Sequence, residues 1–268
     1  MRVRPALSVL TAVLIGTGTA ACTNEEPESE VVTIGVAAAP SLAESFSELI
    51  SIFEAEHPGV RVSIELGKST VIAEGLTSRQ DINIFASASQ EAMDHAVAAG
   101  VAVEPRLFAH NHVVMAVPSG NPENVRSLKD LERDDLEVGL CEVAVPCGQA
   151  SEVLLSEAEI TPVHVEYASG SRALTSQLAD NDVGVGIVYR TDVASSHGWV
   201  TEVDVDARDR ELQQAAGAVN YLLARVPGAI VSASEEGEAT ATEEFIELVL
   251  SDRGRLALNN SGLEAVEG

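Results

Sequence analysis

The sequence predicts an α/β fold with a largely parallel sheet, arranged as two closely packed lobes. Short β-branched segments alternate with helical patterns along most of the chain, which is typical of right-handed βαβ units. The 268 residues are too many for a single small core. Beyond a polar N-terminal segment no linker separates two independent domains, so the lobes are expected to form one unit.

The N-terminus has the pattern of an export signal. Residues 1–21 contain two arginines, an apolar run and then small residues. The apolar run is too short to span a membrane as a helix. The four residues ending at Cys22 resemble a lipobox, although Thr19 stands where leucine is usual. We therefore expect a signal peptide over 1–21, a lipid on Cys22 and an acidic tether over 22–30. An ordinary cleaved signal peptide with a free Cys22 is the alternative.

The strongly negative net charge excludes nucleic acid as a partner. The formal net charge is −26, and the Lys and Arg clusters that nucleic-acid phosphates require are absent from the sequence. Such a charge also repels anionic ligands at long range, although salt screens that field beyond about 8 Å. Any anion site must therefore be built from local hydrogen-bond donors.

The first half of the chain predicts strands at TIGVA, RVSIEL, INIFA and HVVMAV. Helices are predicted between them, over 42–55, 71–76 and 90–99. In the first helix, five large apolar side chains recur at helical spacing and are assigned to the core: Leu42, Phe46, Leu49, Ile50 and Phe53.

The second half repeats the alternation less regularly. Strands are predicted at LEVGL, VHVEY and VGVGIVY, with a helix over 171–178 between the last two. An amphipathic helix over 238–250 and a shorter one over 253–258 close the chain. The sequence contains no repeat of fixed period.

Serines stand at three of the turns that lead from a predicted strand into a helix: Ser41, Ser69 and Ser171. In open α/β sheets, ligands bind beyond the carboxyl ends of the strands, where helix N-termini offer free amides to anions. Ser41 also has Glu44 three residues later, the spacing of a capping box, so a purely structural role is the alternative. Small residues beside these serines leave room for a bound anion.

Five motifs in unbroken order resemble the molybdate-binding proteins of bacterial ABC importers. They begin with VAAAPSL and LGKST and continue with INIFASASQEAMDHAVAAG, VPCGQASEVLL and GIVYRTDVASSHG. The resemblance implies a type II periplasmic-binding-protein fold. Each lobe would hold a mainly parallel sheet flanked by helices, and the chain would cross between lobes twice. It further implies a first lobe over 31–113, a second over 114–219 and a return to the first over 220–268.

The resemblance also implies a ligand set of five residues: Ser41, Ser69, Cys147, Ser171 and Tyr189. In this set Cys147 occupies a position that is usually alanine and contributes a backbone amide. All five donate hydrogen bonds without carrying formal charge, which suits a deprotonated tetrahedral dianion that can only accept them. A carboxylate in such a site would repel the ligand. Lys68, beside Ser69, either leans over the anion or points to solvent.

Cys141 and Cys147 are separated by five residues and belong to a chain with an export signal, so we expect a disulfide between them. Two buried thiols that never meet are the alternative, since sequence does not give their geometry. A bridge would fix the loop that carries Cys147 before the anion arrives.

These expectations describe an extracytoplasmic, lipid-anchored bacterial receptor that passes molybdate or tungstate to an ABC permease. It is expected to be a monomer that uses no cofactor, binds no nucleic acid and performs no catalysis. Another tetrahedral oxyanion such as sulfate is the alternative ligand, and a lipoprotein that has lost transport is a further alternative.

Two other functional classes have weaker support in the sequence. A secreted serine hydrolase would have to assemble a triad from residues such as His164, His197 and Asp192, and no G-x-S-x-G motif is present. His110 and His112 form an H-x-H pair on a predicted strand, without an apparent third ligand. Neither a triad nor a metal site is therefore expected.

Overall fold

The computed structural model describes residues 31–228 and 235–266. The predicted signal peptide, Cys22 and the acidic tether lie outside these residues. The described chain forms two sheets flanked by helices, which confirms the predicted α/β class. None of its helices combines the length and apolar character needed to cross a membrane, within those described ranges.

The strands are numbered in chain order. They are β1 Val32–Ala38, β2 Val60–Leu66, β3 Ile84–Ser87, β4 Val103–Asn111, β5 Val113–Pro118, β6 Glu137–Cys141, β7 His164–Ala168, β8 Val185–Tyr189, β9 Val200–Glu202, β10 Val219–Arg225 and β11 Glu264–Ala265. The α-helices are α1 Ala43–Glu56, α2 Ser69–Gly75, α3 Gln90–Ala98, α4 Pro146–Ala158, α5 Ser171–Ala179, α6 Arg190–Ser195, α7 Ala207–Ala216, α8 Glu235–Leu250 and α9 Asp252–Asn260.

The first sheet has the order β11-β4-β10-β3-β1-β2 and the second the order β7-β6-β8-β5-β9. Parallel pairing is confined to β2-β1-β3 in the first sheet and β7-β6-β8 in the second. The remaining pairs are antiparallel. The sheets are therefore mixed rather than mainly parallel, because β5 and β10, which enter from the other lobe, run against the βαβ strands beside them.

The chain passes twice between the sheets. It leaves the first sheet at Asn111 and enters the second at Val113, so the predicted strand HVVMAV covers the junction of two strands. It returns after α7 and joins the first sheet at Val219. The sequence interpretation missed both α7 and β10. The lobe boundaries 31–113, 114–219 and 220–268 remain predictions.

The core of the first lobe includes the apolar face predicted for α1. Leu42, Phe46, Leu49 and Phe53 are buried, and Ile50 packs against them from a partly buried position. Burial of one such side chain contributes about 1.5–3 kcal/mol. The second lobe buries mainly Val, Leu and Ile between its sheet and helices. These two cores hold the strand ends on either side of a cleft.

Candidate functional site

A cleft of about 600 Å³ lies between the two lobes. The first lobe lines it with Ser41, Glu44 and Tyr221, and the second with Arg172, Tyr189 and Asp192. Ala88, beyond the end of β3, and Pro146, at the start of α4, are also at its surface. Turns that follow the carboxyl ends of parallel strands in both sheets therefore meet at this cleft, as expected for an open α/β fold.

Ser41 is one of two predicted ligands that line the cleft directly. It lies in a 3-10 turn, Pro40–Leu42, and α1 begins after this turn without a side-chain cap. The Ser41 hydroxyl instead lies 2.7 Å from the Tyr221 hydroxyl. The predicted capping box with Glu44 is therefore wrong, because the extra turn moves the start of the α-helix beyond Ser41.

Ser69 and Ser171 are the first residues of α2 and α5. The Ser69 hydroxyl oxygen accepts the Ala88 amide N–H at 3.0 Å, and that of Ser171 accepts the Tyr189 amide N–H at 3.0 Å. Each hydroxyl oxygen thus accepts one hydrogen bond from the protein backbone, and its own O–H group can still donate a hydrogen bond. Both serines are buried just behind cleft residues and do not line the open cleft themselves.

The Cys141–Cys147 disulfide is present, as predicted, with a Cα–Cα distance of 5.8 Å. Cys141 ends β6, and Cys147 is the second residue of α4, immediately behind Pro146 at the cleft. The loop between them is tightly folded, because a Cβ on Gly148 would lie 2.1 Å from the carbonyl oxygen of Glu142. Glycine is therefore required beside the predicted amide donor.

Tyr189 is the second predicted ligand that lines the cleft. Burial raises the pKa of its phenol to about 12, with smaller contributions from Tyr221 and Asp192. Burial also raises the pKa of Tyr221, although hydrogen bonds to Ser41 and Asn111 oppose this shift. Both phenols are therefore protonated at neutral pH and remain hydrogen-bond donors.

Sequence reasoning missed several polar residues of the cleft. Tyr221 reaches Ser41 from a strand distant in sequence, and Asn111 at the end of β4 donates to the Thr191 hydroxyl at 3.0 Å. Both Asn111 and Thr191 also line the cleft. The missed signal was the scarcity of tyrosine: the chain has only three, and Tyr221 lies in the cleft with the predicted ligand Tyr189.

Charged groups in the cleft are the clearest difference from the predicted neutral donor set. Asp192 is partly buried in the first turn of α6, and Arg172 follows Ser171 in α5. Burial raises the pKa of Asp192, while a hydrogen bond from Ser171 and the charge of Arg172 oppose that shift. A carboxylate therefore lines the same cleft as the predicted ligands Ser41 and Tyr189.

The other predicted candidates lie elsewhere. His110 is hydrogen-bonded to Asn220, whereas His112 is buried 3.8 Å from Glu264, so the two imidazoles have different partners. Nowhere in the described ranges do three or more His, Cys, Asp or Glu side chains form a metal-binding group. Lys68 is exposed.

The residues considered for a hydrolytic triad are not assembled. His164 lies on β7 beside Asp134, and His197 lies in a turn after α6 with a positive φ of 53°. Asp192 alone of the three lines the cleft. Within the part of the chain that the structure describes, the Ser171 hydroxyl is hydrogen-bonded to the Tyr189 amide and not to a histidine.

Comparison with known proteins places this geometry among solute receptors. Residues 34–264 match the family model for bacterial extracellular solute-binding proteins. The molybdate-binding protein ModA of Mycobacterium tuberculosis is 30% identical over 264 residues, covering 94% of this chain and 95% of the relative.

Solved structures show the same fold. The substrate-binding domain of a putative molybdenum ABC transporter from Clostridium difficile superposes with a TM-score of 0.73 at 18% identity, covering 88% of this chain and all of that chain. The sulfate-binding protein SubI from Mycobacterium tuberculosis superposes with a TM-score of 0.61 at 16% identity, covering 88% of each chain.

Proposed function

The chain belongs to the bacterial extracellular solute-binding protein family, and from this premise we propose that it is a receptor for molybdate. It also takes tungstate, a dianion of nearly the same size, and delivers either to an ABC permease. It acts outside the cytoplasm as a monomer, held to the membrane by a lipid on Cys22. It needs no cofactor and performs no covalent chemistry on its ligand.

One observation carries the proposal: hydroxyl donors from both lobes converge on one cleft. Ser41 and Tyr189 line the cleft from opposite lobes, and Ser69 and Ser171 lie directly behind its surface. A deprotonated tetrahedral dianion presents only acceptors, so hydroxyls and backbone amides complement it. The relationship to ModA over nearly the whole chain favours molybdate among such anions.

The size of the cleft implies that the lobes close on the ligand. The volume of about 600 Å³ is far more space than one four-oxygen anion occupies. Closure would bring the buried Ser69, Cys147 and Ser171 into contact with an anion that already touches Ser41 and Tyr189. A ligand that contacts both lobes stabilises the closed state through contacts that the open state lacks.

Calorimetric titration with molybdate, tungstate and sulfate tests the proposal, combined with small-angle scattering on the same samples. We expect molybdate to bind and to reduce the radius of gyration. Tighter binding of sulfate would identify the alternative ligand, and an unchanged scattering profile would show that the site is rigid.

A parallel assay with ester substrates separates the remaining alternatives. Ester turnover that depends on the protein would indicate a hydrolase and contradict the receptor function. Neither binding nor turnover would indicate a lipoprotein that has kept the fold and lost transport.

A further inference from the structure

We propose that Asp192 takes up a proton from solvent when the dianion binds, so that ligand capture by this receptor is coupled to protonation of its own cleft. The inference rests on the proposed function, because it requires a tetrahedral dianion as the ligand. It concerns a residue outside the expected ligand set, and it begins from the position of the Asp192 carboxylate.

The Asp192 carboxylate lies among the groups proposed to hold the anion. It lines the cleft together with Ser41, Tyr189 and Tyr221. Its negative charge also contributes to the raised pKa of the Tyr189 and Tyr221 phenols. Ser171 stabilises the ionised form of this carboxyl group, which lowers its pKa against the effect of burial. A dianion bound by these residues therefore lies close to a carboxylate.

Two consequences follow from this position when Asp192 is ionised. The carboxylate repels the dianion in a partly desolvated cleft, where charges interact more strongly than in water. It also competes with the anion for the Ser171 hydroxyl, one of the donors that the anion needs, because Ser171 stabilises the ionised carboxylate. Protonation of Asp192 removes the repulsion, frees Ser171 and turns the carboxyl group into a further donor.

The other charged and titratable groups around Asp192 do not remove this conflict. Arg172, from α5, is the one nearby cation in the described part of the cleft, and it lines the cleft with its side chain largely exposed. Glu44, from α1, adds negative charge at the cleft and at the adjoining pocket. Tyr189 and Tyr221 are neutral. Within α6 itself, Arg190 is paired with Glu202.

The direction of the pH effect follows from linkage. Burial already raises the pKa of Asp192 in the free protein, and a bound dianion raises it further because the ionised form becomes less favourable beside more negative charge. Between these two values the complex holds one more proton than the free protein. The dissociation constant should therefore rise by up to about tenfold per pH unit as the pH increases through that window.

Calorimetry on the full chain tests this coupling, with sodium molybdate as the probe across about pH 5 to 8. Each titration is run in two buffers with different ionisation enthalpies, so that buffer-dependent heat gives the number of protons taken up. The isosteric Asp192→Asn variant removes the titrating group. Glu48→Gln, which removes a carboxylate on the exposed surface of α1 one turn beyond Glu44, is the matched control.

We expect net proton uptake and weaker binding at higher pH in the wild-type chain and in Glu48→Gln. Asp192→Asn should bind molybdate more tightly than the wild type at the alkaline end, without the pH slope or the buffer-dependent heat. If this variant does not fold, the wild-type buffer series alone decides the proton count.

Two outcomes overturn the proposal: molybdate binding without proton uptake, or a pH slope that survives in Asp192→Asn. Failure of the proposed function looks different. In that case molybdate, tungstate and sulfate produce no binding heat at any pH, and no proton count is obtained.

Discussion

The two lobes present the same backbone plan to the cleft with different side chains. In the first lobe, Pro40 and Ser41 begin the helical turn that follows β1, and in the second, Pro146 and Cys147 begin α4, the helix that follows β6. β1 lies between two parallel partners, β2 and β3, as β6 lies between β7 and β8. An antiparallel strand that enters from the other lobe follows in each sheet, β10 in the first and β5 in the second.

The correspondence extends to single hydrogen bonds. Ser69 and Ser171 each begin the helix that follows an edge strand. Each accepts an amide N–H from the end of the parallel strand that lies two places away in the same sheet. The donor is Ala88 in the first lobe and Tyr189 in the second. The second lobe thus adds a phenol where the first has a methyl group.

The lobes differ most in how they hold the residue after the proline. The Ser41 side chain is held by a hydrogen bond with Tyr221, whereas Cys147 is held by a covalent bond to Cys141. Asp192 and Arg172 also belong to the second lobe. The comparison teaches that the backbone scaffold is duplicated, whereas the disulfide, Arg172 and Asp192 belong to the second lobe and the first lobe contributes Glu44 and Tyr221.

The largest effect is expected at Gly148. Gly148→Ala would place a methyl group against the backbone carbonyl of Glu142, which cannot move away easily, so we expect a loss of about 3 kcal/mol in unfolding free energy. Gly67→Ala at a first-lobe turn is the control, because its added methyl meets only the Ile72 side chain at 3.4 Å. Urea denaturation followed by circular dichroism measures both, and equal stabilities would contradict a tight loop specific to the second lobe.

Substitution of the two equivalent serines, Ser69 and Ser171, should have similar effects on affinity for molybdate. Ser69→Ala and Ser171→Ala each remove a hydroxyl donor, and we expect each to weaken molybdate binding by about 1–3 kcal/mol. Ser47→Ala, on the exposed surface of α1, is the control and should bind as the wild type does. Calorimetric titration measures all three. Unchanged affinity in both cleft variants would remove these serines from the ligand set.

Opening the disulfide should affect the second lobe alone. In the double variant Cys141→Ala with Cys147→Ala, the loop between these two residues must be ordered when the anion binds. We therefore expect the binding free energy for molybdate to weaken by about 1 kcal/mol. The fold should persist, because so short a closed loop restricts the unfolded chain only modestly. Titration and thermal unfolding test this, after peptide mapping of the oxidised protein. Free thiols in that map would end the argument for a pre-ordered loop.

The smallest effect is expected at Tyr221, the first-lobe counterpart of the disulfide. Tyr221→Phe removes the hydrogen bond to Ser41 but leaves the serine in place, so molybdate binding should weaken by less than about 1 kcal/mol. Tyr167→Phe, at an exposed position on β7, is the control. A loss as large as that of Ser171→Ala would mean that Tyr221 contacts the anion itself.

Local patterns in the sequence were sufficient for the elements closest to the cleft. The apolar spacing from Leu42 to Phe53 predicted the buried face of α1, and the serine turns predicted the starts of α2 and α5 to within two residues. Both signals come from neighbouring residues, which is why they could be interpreted without a structure.

Contacts between distant residues were beyond such patterns. Ser41 and Tyr221 are 180 residues apart, and the Ser41–Glu44 spacing favoured a local cap that the structure does not form. Asp192 was considered only for a triad, because its approach to Ser171 depends on how α5 and α6 pack. The lobe duplication was also hidden, because equivalent positions such as Ala88 and Tyr189 share backbone geometry without sharing side-chain type.

The position of β10 has a consequence for the order in which the protein can be built. β10 lies between β3 and β4, so the first sheet is split until residues 219–225 have emerged and inserted. All strands of the second sheet come from the continuous stretch Val113 to Glu202, so this lobe can form during synthesis or export without distant chain. The first lobe must bring β10 back to β4 across the whole second sheet, and closing this longer loop slows its folding. The N-terminal lobe, although translated first, is therefore expected to be the last to fold.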